Sequence, residues 1–168
     1  NATDISIQNA GGVRIDIPAG DITIATVYEL LPFSNTMVQL VMTGAEIVQV
    51  LEEAVANFQD EGGSTGAYPY AAGLRWDIDL SQPAGSRFSN LEVLPLGSTE
   101  WQPLDLATTY VVTTNSFAAG GGDGYATFKD VADDGRAVDT YLEYAETFSE
   151  WLQAIGGTLS RPAEADYS

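Results

Sequence analysis

Residues 109–125 read TYVVTTNSFAAGGGDGY: a β-branched and aromatic run that empties into a loop of four glycines and one carboxylate. Thr109–Thr114 is the most strand-like segment of the chain, because side chains branched at Cβ pack well on a pleated surface and lose freedom in a helix. The loop that follows needs an open backbone. A phosphate cradle of the Walker type is excluded, since Gly124 is followed by Tyr125 and Ala126 where Lys and Ser or Thr are required. A calcium loop is unsupported, because carboxylates at alternating positions and a closing Glu are missing here and in Asp130–Gly135. Two readings stay open for Asp123: a turn in which it accepts hydrogen bonds from its own loop, or a pair of acceptors for vicinal hydroxyls. On the second, Phe117 offers a ring face and the glycines let a ligand come close.

Outward from this strand the chain alternates strands and helices. Ile5–Ser6–Ile7 reads as a strand ending in the turn Asn9–Gly12, and Thr36–Met42 as another. Thr43 and Glu46 form a capping-box pattern that opens a helix to about Gln59, with Ile47, Val48, Leu51, Val55 and Phe58 on one stripe. The same Thr-x-x-Glu pattern predicts a short helix from Thr26 to Pro32 and a longer one over Thr140–Ile155. Residues 71–80 read as one strand with 87–94 as its hairpin partner, 60–66 as a loop and 158–168 as a tail. Hairpin-linked strands interleaved with helices give a single α+β domain over residues 1–168, a mixed β-sheet with packed helices.

Composition narrows the chemistry. Twenty-four Asp and Glu against six Lys and Arg give a formal charge of −18, which opposes binding to a nucleic-acid duplex or an anionic membrane. An acidic surface of this kind suits salty or extracellular surroundings, with a salt-adapted, halophilic origin as the expectation. With no His and no Cys, imidazole and thiolate metal ligands and His-based triads are absent. No catalytic residue and no metal ligand is assigned to this chain. Its first residues lack Met and an apolar leader, so the expectation is a start inside a longer gene product or after processing. Arg14, just after a glycine pair, could fork onto a phosphate or carboxylate or make a surface ion pair. Tyr68 reads as an ordinary loop aromatic.

Five ordered segments then coincide with one family: NAGGVR (9–14), LLPFSNT (30–36), MTGAEIVQVLEEAV (42–55), GAYPYAAGLRWDIDL (66–80) and TNSFAAGGGDGYATF (114–128). Together they resemble the C-terminal domain of the secreted or periplasmic 5'-nucleotidases, the UDP-sugar hydrolase group. The resemblance implies a domain that binds a nucleotide or nucleoside. Two divalent metal ions and the catalytic groups would belong to an N-terminal metallophosphatase domain of the same chain. It implies that Phe117 and Tyr68 sandwich the base, that Asp123 holds the ribose hydroxyls and that Arg14 belongs to an anion-binding cluster, while Asn9 is structural. Ala10 and Thr43 stand where relatives can carry further arginines, and Val38 where some carry Asn. A periplasmic or extracellular location follows from the same resemblance. A non-catalytic interaction or spacer domain that kept the fold is the alternative, and a thiosulfate-ester hydrolase relative is disfavoured by the paired rings.

Overall fold

The run 109–115 is the central strand of the molecule. In the computed structural model, which describes residues 2–161, it is flanked on both sides. In chain order the elements are β1 (Ile5–Asn9), α1 (Ile24–Leu30), β2 (Thr36–Thr43), α2 (Gly44–Gln59), β3 (Pro69–Ala72), β4 (Leu74–Ile78), β5 (Phe88–Val93), β6 (Gln102–Pro103), β7 (Thr109–Asn115), α3 (Ser116–Ala119), α4 (Ala126–Asp133), β8 (Ala137–Glu143) and α5 (Tyr144–Ala154). Five strands form one sheet in the order β3-β1-β7-β2-β8, and β4-β5-β6 form a second. β1 runs parallel to β7, with Ile5 beside Val112, whereas β2 is antiparallel to β7 from Met37↔Asn115 to Thr43↔Thr109. The sheet is therefore mixed and the class is α+β, as read from the sequence.

Alternation along the strands sends Ile5, Ile7, Val38, Leu40, Met42 and Val112 to one face, where they meet Ile47, Val50, Leu51, Ala54 and Val55 of α2 and Phe128 and Val131 of α4. Each fully buried aliphatic side chain there contributes roughly 1.5–3 kcal/mol. The opposite face is covered at one end by α1 and α5, whose Val27, Leu30, Tyr144, Ala145 and Leu152 close around Met37.

The capping box of α2 forms as expected. Thr43 Oγ1 accepts from the Glu46 N–H at 3.2 Å, and Glu46 Oε2 accepts from the Thr43 N–H at 2.8 Å. Arg136 adds a bidentate clamp on the same carboxylate, 2.7 Å to Oε1 and 3.0 Å to Oε2. The Arg136 clamp and then the Thr43 bonds hold the Glu46 carboxyl down at about 2, against an ordinary value of 4.5 and against the opposing effect of burial. A depressed folded value means that this stabilisation is complete above about 4.5 and is lost as the pH falls towards 2. Thermal melts from pH 7 to pH 2 should show wild type losing stability across that window, while Glu46→Gln, less stable at pH 7, loses less over it. Equal losses would contradict the assignment.

Three local readings are corrected, and one helix is added. The expected strand over 71–80 is broken at Gly73, which has φ +76° and lies where a Cβ would strike the Asp4 carbonyl oxygen. That left-handed residue turns the chain out of the first sheet and into the second. The short helix starts earlier, with Thr23 as its cap in a reciprocal pair with Thr26, so Thr26 is its third residue rather than its cap. The predicted helix over Thr140–Ile155 begins only at Tyr144, capped by Glu143. Residues 137–143 are drawn into the sheet beside β2, and Thr140 donates to the Met37 carbonyl at 2.7 Å instead of capping. Helix α4 was not expected, because its N-terminal donors are met from afar: Glu53 of α2 accepts from the Thr127 N–H at 2.9 Å and its hydroxyl at 2.7 Å. Of the expected tail, residues 162–168 lie outside the described residues, as does Asn1.

Candidate functional site

Because β1 and β7 are parallel, their C-terminal residues Asn9 and Asn115 finish side by side, and antiparallel β2 and β3 begin at that same end. Four connecting segments meet there: the turn Ala10–Gly12, residues 31–35, the turn Thr65–Ala67 and the glycine loop after β7. They enclose a cavity of about 280 Å³ lined by Arg14, Phe33, Asn35, Ser64, Phe117 and Asp123 together with Asn9 and glycines of the turns. Three of the four expected site residues, Arg14, Phe117 and Asp123, thus share one wall space.

Asp123 does not accept bonds from its own loop. It sits in the left-handed region at φ 55°, ψ 24°, and its Oδ2 accepts from Asn9 Nδ2 at 2.8 Å. Its other oxygen takes no hydrogen bond among the described residues. The loop is closed by Tyr125, whose buried hydroxyl donates to the Ala67 carbonyl at 2.7 Å. Burial first, and the Asp123 charge second, push that phenol well above its ordinary value, so it stays a donor.

Phe117 is 47% exposed and its ring lies on the backbone of Gly122, where any Cβ would collide with it. Phe33 is 45% exposed on the same cavity. Two half-exposed phenylalanines around one hollow leave apolar surface that a flat ligand would cover. The Arg14 guanidinium stands 5.8 Å from the Phe33 ring centre, and one of its nitrogens donates to the Gly11 carbonyl at 3.1 Å. Arg75, Arg87, Lys129 and Arg136 all pair with carboxylates. Arg14 has no carboxylate partner among the described residues, although the chain carries a charge of −18. The surface-ion-pair reading is therefore not what the structure shows.

Tyr68, expected as the second ring, is not part of the lining. Its carbonyl accepts from the Ala10 N–H at 2.8 Å, and its ring packs beside Phe58 of α2 and Tyr70, with centres 6.5 and 5.8 Å away. Phe33 is the second phenylalanine of the lining. The missed signal was a large aromatic between Pro32 and Ser34 in a polar loop, where a purely structural role is least expected. One supposed lost arginine position and the supposed Asn position also lie elsewhere: Thr43 caps α2 at the far end of β2, and Val38 is buried in the core. Neither could reach the cavity, and only Ala10 adjoins it.

A family model described as 5'-nucleotidase, C-terminal domain, matches residues 1–130. The chain belongs to the 5'-nucleotidase C-terminal domain family. It is 44% identical over 153 residues to the NAD 5'-nucleotidase of Haemophilus influenzae, covering 89% of this chain and 25% of that protein. The solved structure of that NAD nucleotidase superposes with a TM-score of 0.86 at 42% identity, over 91% of this chain and 27% of the other. The 5'-nucleotidase precursor from Thermus thermophilus gives 0.85 at 41% identity, over 96% and 30%. The Thermus thermophilus sulfate thiohydrolase SoxB, at 22% identity and a TM-score of 0.66 over 96% of this chain and 28% of the other, shares the fold alone. This chain spans about a quarter of the NAD 5'-nucleotidase's length.

Among the described residues no group of three or more His, Cys, Asp or Glu is placed to hold a metal ion. No described helix is long and apolar enough to cross a membrane. The cavity presents ring faces, the Asn35 amide and, among the described residues, one carboxylate with an unbonded oxygen and one guanidinium without a carboxylate partner.

Proposed function

We propose that this domain holds the nucleotide for a 5'-nucleotidase-type hydrolysis, whose two divalent metal ions and attacking water belong to a metallophosphatase domain of the same protein. The carrying observation is the coincidence, in one cavity, of two exposed rings, a carboxylate with a free oxygen and an arginine lacking a carboxylate partner. The base lies between Phe117 and Phe33, gaining stacking on both faces without selecting a particular base. Asp123 accepts from the ribose hydroxyls, and Arg14 takes a phosphate, a charge-assisted contact of roughly 1.5–3 kcal/mol. With the metals and the attacking water on that other domain, the isolated domain is expected to bind the nucleotide without hydrolysing it. The Haemophilus relative is named for NAD, and the same set would hold one nucleoside half of a dinucleotide.

Calorimetric titration of the purified 168-residue chain with adenosine, AMP and UDP-glucose tests this. AMP should bind, and more tightly than adenosine because of Arg14. Absence of binding by all three at millimolar concentration would mean that the fold has been kept without its ligand, the spacer-domain alternative. Export to the periplasm or cell exterior belongs to the same proposal, supported by the acidic surface. Fractionation that finds the full-length protein in the cytoplasm would count against it.

A further inference from the structure

An amide side chain has one donor end and one acceptor end, and its neighbours decide which way it faces. At the floor of the cavity three amides meet one carboxylate, and a backbone group decides for all of them. The Ala118 N–H can only donate, so Asn115 turns its Oδ1 to it at 2.9 Å. The Asn115 amino group is thereby aimed at Asn9 Oδ1, 2.9 Å away, and at Gln8 Oε1, 3.1 Å away. Gln8 Nε2 in turn donates to Asn9 Oδ1 and to the Asn9 carbonyl, both at 3.1 Å. With two donors on its oxygen, Asn9 has only its amino group left for Asp123, and it donates to Oδ2 at 2.8 Å. Every bond points the same way, from a peptide N–H that cannot flip to a carboxylate.

We infer that Asn115, acting through Asn9, is a positioning residue that sets the rotation of the Asp123 carboxylate and so makes the site selective for a ribose with both hydroxyls. This rests on the nucleoside reading of the cavity. Asn115 is 0% and Asn9 4% exposed, so the bonds are shielded from bulk solvent, and in a poorly screened interior the chain of dipoles reinforces its last bond. With Oδ2 tied down, Oδ1 is the oxygen left to the ligand. Released from Asn9, the carboxylate would rotate about its own axis and hold a diol no better than a solvated Asp does. Asn115 sits on β7, Asn9 on β1 and Asp123 in the glycine loop, so the relay also explains why a side chain on the central strand governs the loop that follows it.

Asn115 also caps α3 through the same Oδ1, and the test must separate that structural role from positioning. Asn115→Ser does so: Ser is an equally good cap, but its hydroxyl is too short to reach Asn9. Binding of adenosine and of 2',3'-dideoxyadenosine is measured on wild type and variant, with circular dichroism confirming the fold. Wild type should prefer adenosine by about tenfold, one charge-assisted hydrogen bond, and the variant should bind the two alike with dideoxyadenosine affinity unchanged. A folded variant that keeps the preference overturns the inference. If wild type shows no preference, the ribose role of Asp123 itself fails, and the inference falls with it. Should the variant not fold, side-chain amide NMR of wild type decides. The Asn9 and Asn115 NH₂ protons should be protected from exchange and should shift with adenosine but not with dideoxyadenosine, and unprotected or indifferent signals would contradict the relay.

Discussion

Replacing Phe117 by Ala together with Asp123 by Asn is expected to leave the chain folded and to weaken AMP binding on the order of a hundredfold or more. Phe117 is half exposed and supports no core, so its removal costs the protein little and the ligand one stacking face. That face is worth roughly 1–3 kcal/mol. Asn is the informative replacement at 123, because the residue has φ 55° and Asn tolerates the left-handed region where Ala is strained. It removes the charge that the ribose hydroxyls would meet and offers Asn9 the choice of an oxygen or an amino group. The two losses need not add, since both residues grip one ligand. Calorimetry on both single variants and the double variant measures the effect. A folded double variant with wild-type affinity would place the nucleotide somewhere else.

The second large effect concerns stability at a distance from the cavity. Glu52 of α2 is 4% exposed, and its carboxylate accepts from three backbone N–H groups of the β4–β5 hairpin: Arg87 at 2.6 Å, Gly85 at 2.9 Å and Phe88 at 3.2 Å. Arg87, itself buried, is pinned to Asp60 at 2.7 and 2.8 Å. That carboxylate ties the β4–β5 hairpin to α2, beside the packing of Leu74, Phe88 and Val93 into the main core. Glu52→Ala leaves three donors without an acceptor beside a buried guanidinium and should cost about 3–5 kcal/mol, a large share of the roughly 5–15 kcal/mol typical of a domain. Glu52→Gln keeps an acceptor oxygen and should cost less. Urea unfolding followed by circular dichroism gives the shift in midpoint. A loss below about 1 kcal/mol for the Ala variant would contradict a buried, fully used carboxylate. The fraction that remains folded should bind AMP as wild type does, because Glu52 does not line the cavity.

Where local chemistry and long-range contacts agree, the sequence was readable. The β-branched run on β7 and the Thr43–Glu46 box on α2 carry their own instructions, and both stand as read. The same Thr-x-x-Glu spelling misled at Thr140, because pairing with β2 outweighed a helix turn, and at Thr26, because Thr23 had already capped the helix. Helix α4 left no signal of its own, since Glu53 supplies its cap from another helix. At the cavity, Arg14, Phe117 and Asp123 were visible as unusual residues beside glycines. Phe33 was passed over because one Phe in a loop looks like any other until the fold sets it beside Phe117. Asn9 and Asn115 were hidden for a different reason: their partners lie 106 and 114 residues away in the chain, and no spacing rule spans that distance.

The central claim is that one nucleoside bridges Phe117, Phe33 and Asp123, and a crystal structure of this chain with AMP tests it most directly. The expected result is adenine between the two phenylalanine rings, the ribose hydroxyls within hydrogen-bond distance of Asp123 Oδ1, and the phosphate on Arg14. AMP seated away from this cavity, or in it with Phe33 and Asp123 untouched, would contradict the account.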